Sequence, residues 1–194
     1  MAEVTPVAAA TVILLRDRPL EVLMIRRHEK RSFAPDVWAF PGGAVEEEDF
    51  RRGGGILLNS MRNAAARELL EETAISLGDP VDLEKLIWTG RWITPEGLPK
   101  RFDTYFFLAC VNRGAAVKLQ MSEAVASIWI SPAEAVQRHM RGDFPVVFPT
   151  LKNLEALVGF KTTAELIESR RKAEIPTTRP IIIEEDGQRK IVLP

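Results

Sequence analysis

Ser60 to Ile75 carries the strongest helical signal of the chain, and it lies among segments that read as strands. It is rich in Ala, Glu, Leu and Arg, contains Ala64-Ala65-Ala66, and offers Ser60 or Asn63 as a cap. Ahead of it, Val7–Leu15 and Leu20–Arg26 read as a hairpin across Arg16-Asp17-Arg18-Pro19, and Gly42-Gly43 after Phe40-Pro41 reads as a tight turn. Behind it, Leu83–Trp92 and Phe102–Val111 are extended around a Thr94–Lys100 loop, and Ser127–Ile130 is a short strand. Ser131-Pro132 opens a helix, with two more near Thr150–Val158 and Thr163–Lys172. Pro180–Glu185 and Lys190–Leu193 read as a hairpin around Asp186-Gly187. Strands come first, one strong helix sits in their midst, and further helices come late. This order predicts an α/β or α+β sandwich and excludes a regular βαβ array.

At 194 residues, one domain spanning 1–194 is expected. Twenty-six basic residues stand against 27 acidic ones, so neither a stable nucleic-acid complex nor a membrane partner is expected. The Val7–Leu15 run is too short to span a bilayer, and the single cysteine, Cys110, forms no internal disulfide and is expected to be buried and inert. These totals fit a soluble, cytoplasmic-type chain. They leave oligomeric state open, a homodimer included.

The helix carries Arg67-Glu68-Leu69-Leu70-Glu71-Glu72. At about 100° per residue, Glu68, Glu71 and Glu72 fall within an arc of roughly 100°, while Ala66, Leu69, Leu70 and Ala74 point the other way. Like charges at these spacings cost about 0.2–0.5 kcal/mol per pair. A solvated acidic face is one reading. A bound hard cation, Mg²⁺ or Mn²⁺, is the other, because such ions prefer oxygen ligands and keep waters for substrate phosphates.

Taken together, Gly43, Asp49, Arg67, Glu68, Glu71 and Glu72 resemble the Nudix box, G-x5-E-x7-R-E-U-x-E-E-x-G-U, where U is aliphatic. The sequence departs from it in three places. Asp49 stands for Glu and Ala74 for Gly, and 17 residues instead of 7 separate Asp49 from Arg67, which places an insertion within about 50–61. The Gly-rich Arg52–Gly55 loop suits an insertion that leaves the helix carboxylates in place. The resemblance implies a Nudix-type α/β/α sandwich with a mixed central sheet, followed by extra C-terminal helices in an extension of about 145–194.

It also implies a metal-dependent diphosphatase. Glu68, Glu71 and Glu72 would hold Mg²⁺ or Mn²⁺, and Arg67 would orient them or simply pair with Glu71. Glu123, six residues before Trp129, or a box glutamate would be the base. The substrate would be a small molecule derived from a nucleotide. Arg91-Trp92-Ile93-Thr94-Pro95 and Arg101–Phe107 resemble the branch that includes the peroxisomal acyl-coenzyme A diphosphatase. That branch cleaves coenzyme A or its esters to 3′,5′-ADP and (acyl-)phosphopantetheine. ADP-ribose, NADH and nucleoside triphosphates are the alternatives within the class, and a non-catalytic nucleotide-sensing module is the alternative outside it. Gly42 and Gly43 would let backbone approach the ligand. Arg91 and Arg101 would meet phosphates, as would Arg27 within the cluster Arg26, Arg27, His28, Lys30 and Arg31. Trp38, Trp92 and Phe102 are either core or base-stacking residues, and His139 is a surface or cap residue.

Overall fold

The computed structural model describes residues 4–30, 34–78, 80–185 and 187–194. Arg31 of the basic cluster and Asp186 of the C-terminal turn lie outside them. Two long apolar strands, β1 (Val7–Arg16) and β6 (Phe102–Cys110), run parallel at the centre of the main sheet. Around them lie β2 (Glu21–Arg27), β3 (Trp38–Ala39), β4 (Gly42–Ala44), β5 (Ile87–Ile93), β7 (Ala124–Ile130) and β8 (Thr177–Thr178). The order is β3-β2-β1-β6-β5-β8, with β4 on β1 and β7 on β2. Only β1–β6 and β5–β8 are parallel, so the sheet is mixed. A separate hairpin, β9 (Ile181–Glu185) with β10 (Gln188–Val192), follows.

The period-2 alternation of the strands sends side chains to two faces. Ala10, Val12 and Leu14 of β1 with Tyr105 and Phe107 of β6 pack under α2 (Leu57–Thr73) through Met61, Ala64, Ala65 and Leu69. Ile13 and Leu15 with Phe106 and Leu108 face α3 (Pro132–Met140), α4 (Phe148–Leu157) and α5 (Thr163–Arg171) through Ala135, Leu154, Leu157 and Leu166. The result is the expected three-layer α/β/α sandwich. No helix among the described residues is long and apolar enough to cross a membrane.

Several local expectations are corrected. The helix begins three residues before Ser60, with Ile56 at its N-cap. Ser60 lies inside it and donates its hydroxyl to the Ile56 carbonyl, so neither Ser60 nor Asn63 caps it. Gly42-Gly43 is not a turn but half of a strand pairing with Ala10 and Thr11. Between β4 and α2 the chain forms a short helix, α1 (Glu47–Arg52), and a glycine turn at 53–55, where Gly54 and Gly55 have φ of 61° and 80°. Leu83–Lys85 is a 3₁₀ turn ahead of β5. Leu70 is 49% exposed while Glu72 is only 2% exposed, the reverse of the helical-wheel expectation. Glu72 follows Ala65 and Leu69 at seven- and three-residue spacing, so it continues their buried stripe. Cys110 is exposed at the end of β6 rather than buried.

Ala74, standing where the box pattern has glycine, ends α2 with φ 58° and donates its N–H to the Leu70 carbonyl at 2.8 Å. An L-residue carries a steric cost there that glycine does not. The side chain is exposed, so its loss sacrifices little packing. Ala74→Gly is expected to raise stability by about 1 kcal/mol, a Tm gain of roughly 2–4 °C in thermal unfolding. An unchanged or lower Tm would count against strain at this cap.

Candidate active site

The site is assembled on α2 by a strand from before it and a loop from after it. Glu68 and Glu72 lie one turn apart on the stripe facing the sheet. The Gly42 N–H donates to Glu72 Oε2 at 2.8 Å, fixing the carboxylate against β4. A Cβ on Gly43 would fall on the Glu68 carboxylate, and one on Gly42 would lie 2.5 Å from the Ala10 carbonyl oxygen, so both positions require glycine for close approach.

Glu123 reaches the same place from 51 residues further along the chain than Glu72. Lys118 and Gln120 donate their N–H groups to the Thr73 and Glu72 carbonyls at 2.9 and 3.1 Å, which also satisfies the last turn of α2. The Glu123 N–H bonds Gln120, and its carbonyl accepts from His28 at the end of β2. This ties the loop to the helix on one side and to the sheet on the other. One carboxylate oxygen each from Glu68, Glu72 and Glu123 lies within 4.8 Å of the other two.

Electrostatics make this cluster costly without a cation. Burial pushes Glu72 up to about 8, with the nearby charges of Glu68 and Glu123 adding to it. The Gly42 N–H and the Arg27 charge oppose the rise. Burial likewise raises Glu68, partly offset by Arg67. Buried Glu72 and partly buried Glu68, both held toward the protonated form and grouped with Glu123, suit a hard divalent ion, which would supply the missing positive charge.

Arg67 is a hub. It donates to Asp49, at 3.0 Å for the closest oxygen, to Glu68 at 2.9 Å, to Glu71 at 3.0 Å and to the Ala44 carbonyl at 2.9 Å. Burial opposes its charge, but the bonds and charges of Asp49 and Glu68 outweigh that and raise its pKa above the ordinary arginine value. The orienting role and the ion pair with Glu71 therefore coexist. Asp49, 2% exposed, also accepts from the Glu46 N–H, so it anchors α1 to the guanidinium.

The remaining site candidates separate clearly. Glu71 is half exposed and engaged with Arg67, outside the three-carboxylate cluster. Arg91 pairs with both oxygens of Asp103, at 2.8 and 2.5 Å, and lies over Tyr105. Arg101 is buried and bonds the Thr94 and Val4 carbonyls. Neither arginine lines the cavity beside the carboxylates, because each is taken up in holding β5, β6 and the chain start together. Arg26 is paired with Asp36. His139 is half buried and meets the Phe144 carbonyl at 3.3 Å.

Gly42, Gly43 and Arg27 do line a cavity of about 550 Å³, walled mainly by apolar side chains such as Phe40, Trp92, Phe102 and Phe148. Trp92 meets Phe148 edge-on at 6.2 Å, so its ring serves the cavity wall. Trp38 instead stacks on Phe144 at 4.7 Å. Lys100, inside the cavity loop, carries no sequence signal of its own, because nothing distinguishes it from other loop lysines until the fold closes.

Residues 5–148 match the NUDIX domain family. A putative nudix hydrolase 7 of Caenorhabditis elegans is 28% identical over 77% of this chain and 60% of its own length. The acyl-coenzyme A diphosphatase NUDT19 of Xenopus laevis is 24% identical, over 86% of this chain and 68% of its own length. The chain thus spans 60% of the length of the first of these relatives. A NUDIX hydrolase structure from Alicyclobacillus acidocaldarius superposes with a TM-score of 0.77 at 25% identity, covering 86% of this chain and 97% of the other.

Proposed function

This chain belongs to the NUDIX family, and on that premise we propose that it is a metal-dependent diphosphatase whose substrate is coenzyme A or an acyl-coenzyme A, cleaved to 3′,5′-ADP and (acyl-)phosphopantetheine. The observation that carries the reaction class is the cluster of partly buried Glu68 and Glu123 with buried Glu72 beside a ligand-sized cavity. Mg²⁺ or Mn²⁺ held by these three carboxylates would neutralise the diphosphate and polarise its P–O bond. The chain's own groups do the rest. Gly42 holds Glu72, Arg67 holds Glu68 and Glu71, and Glu123 or Glu68 takes the proton of the attacking water. Arg27 and Lys100 at the cavity receive the phosphates of the nucleotide. Retention of Arg67, Glu68, Glu71 and Glu72 together disfavours a purely sensing module. The coenzyme A assignment rests on the similarity to the acyl-coenzyme A diphosphatase.

The test is a product assay with Mg²⁺ or Mn²⁺ over coenzyme A, acetyl-coenzyme A, ADP-ribose, NADH and dGTP. Release of 3′,5′-ADP from the coenzyme A compounds is expected. If these were the only compounds left uncut, the substrate assignment would fall and the ADP-ribose, NADH or triphosphate reading would replace it. If none were cut, the nucleotide-sensing reading would stand instead.

A further inference from the structure

We propose that the chain beyond residue 148, through the Ile191 side chain of β10 together with Phe148 at the start of α4, sets substrate choice by walling the cavity against an uncharged, apolar-faced group of the substrate. This deepens the diphosphatase reading above and rests on it. The family match ends at Phe148, yet the cavity is completed by Phe148, Pro149, Pro180 and Ile191.

The tail reaches that position by a defined route. The Arg91 N–H donates to the Pro176 carbonyl at 3.2 Å, and β8 then pairs in parallel with Arg91 and Trp92 of β5. The tail therefore arrives beside Trp92, itself a cavity residue in edge contact with Phe148. Buried Pro180 ends this stretch, and β9 leads into the hairpin whose return strand carries Ile191 opposite Ile182. Among the described residues the strands of this hairpin pair only with each other. A two-stranded hairpin is marginal alone in water, so the Ile191 side chain it places at the cavity contributes to holding it there.

The lining chooses the chemistry. Apart from the hydroxyls of four threonines and the two cations already assigned to phosphates, it is apolar, and no carboxylate faces in among the described residues. Such walls favour a group with apolar faces and no charge, attached to phosphates at the cationic part. A nucleobase and an acyl chain share this chemistry.

The test uses the full chain with Mg²⁺ and compares wild type with Ile191→Trp, Ile191→Asp and Phe148→Ala. Coenzyme A, acetyl-coenzyme A, octanoyl-coenzyme A, ADP-ribose and dGTP serve as substrates. Ile191 is 37% exposed, so its substitution spares the core. The Ile191 variants are expected to raise KM about 10-fold while kcat changes less than about 3-fold, the signature of lost binding away from the reacting atoms. A change graded by acyl length identifies the acyl chain as the occupant, and a change equal across adenine compounds identifies the base. Either supports the proposal. If the kcat/KM ratios between substrates were unmoved in all three variants, it would be overturned while the diphosphatase reading survived. If the wild type cut none of these compounds, that reading would fail on its own. Calorimetric dissociation constants for the same compounds would then decide the proposal, and equal values in wild type and Ile191→Trp would overturn it.

Discussion

Glu72→Gln is expected to lower turnover by about 10²–10⁴-fold while leaving the protein folded. Glutamine keeps the oxygen that accepts the Gly42 N–H, so the link between α2 and β4 survives. What it removes is the charge that would bind a cation jointly with Glu68 and Glu123. The new amide can donate toward those neighbouring carboxylates, so the metal-free variant is expected to be at least as stable as wild type at pH 8. The paired measurement is kcat with saturating Mg²⁺ and chemical unfolding in a chelator. Near-wild-type turnover would sink the assignment of Glu72, and a collapse in stability would show that its role is to hold the fold.

The second large effect is a pH dependence of the metal-free protein that runs opposite to ordinary acid denaturation. Glu72 titrates near 8 in the folded state against a usual value of 4.5. Between those values the unfolded chain has released this proton and the folded chain retains it, so folding takes up a proton. The stability linked to Glu72 is fully present below about pH 4.5 and is lost as pH rises toward 8. At about 1.4 kcal/mol for each pH unit separating the two values, the loss is up to about 5 kcal/mol. Glu68, also raised by burial, acts in the same direction. Arg27 and the Gly42 N–H face Glu72 and limit the effect, whereas Glu68 and Glu123 enlarge it. The clean observable is the unfolding free energy of wild type minus that of Glu72→Gln in chelator from pH 5 to 8.5. It is expected to fall steadily, and to flatten when Mg²⁺ is present. A pH-independent difference would mean that Glu72 is ionised throughout and that its burial costs the fold nothing.

The reversal of Leu70 and Glu72 shows where reading a helix by its wheel stops. The wheel correctly puts Glu68 and Glu72 on one side. It does not say that the side continues the stripe of Ala65 and Leu69, or that a glycine strand covers it. Arg91 and Arg101, expected at phosphates, are engaged within the protein for a related reason. Charge beside a loop is legible in sequence, but the partner that consumes it is not: Asp103 stands across the β5–β6 pairing, and the Thr94 carbonyl is reached only once the loop closes. Asp49 goes the other way. Its tie to Arg67 survives the shorter side chain and the longer spacing, because a carboxylate at the third position of α1 still reaches the guanidinium.

By itself the sequence determined the layers, the family resemblance and the residue types of the site. Strand alternation, helical spacing and a cluster of acidic residues on one turn are local patterns, and local geometry is enough to express them. Only the tertiary structure decided which carboxylates meet. Glu123 displaces Glu71 from the cluster because loop 118–123 is hydrogen-bonded to the last carbonyls of α2, while Glu71 turns outward to Arg67. It also decided that the tail beyond the family domain walls the cavity, since Ile191 and Phe148 lie 43 residues apart in sequence and line one cavity once β8 has paired with β5. Contacts of that range depend on where the whole chain packs, and no spacing rule along the sequence encodes them.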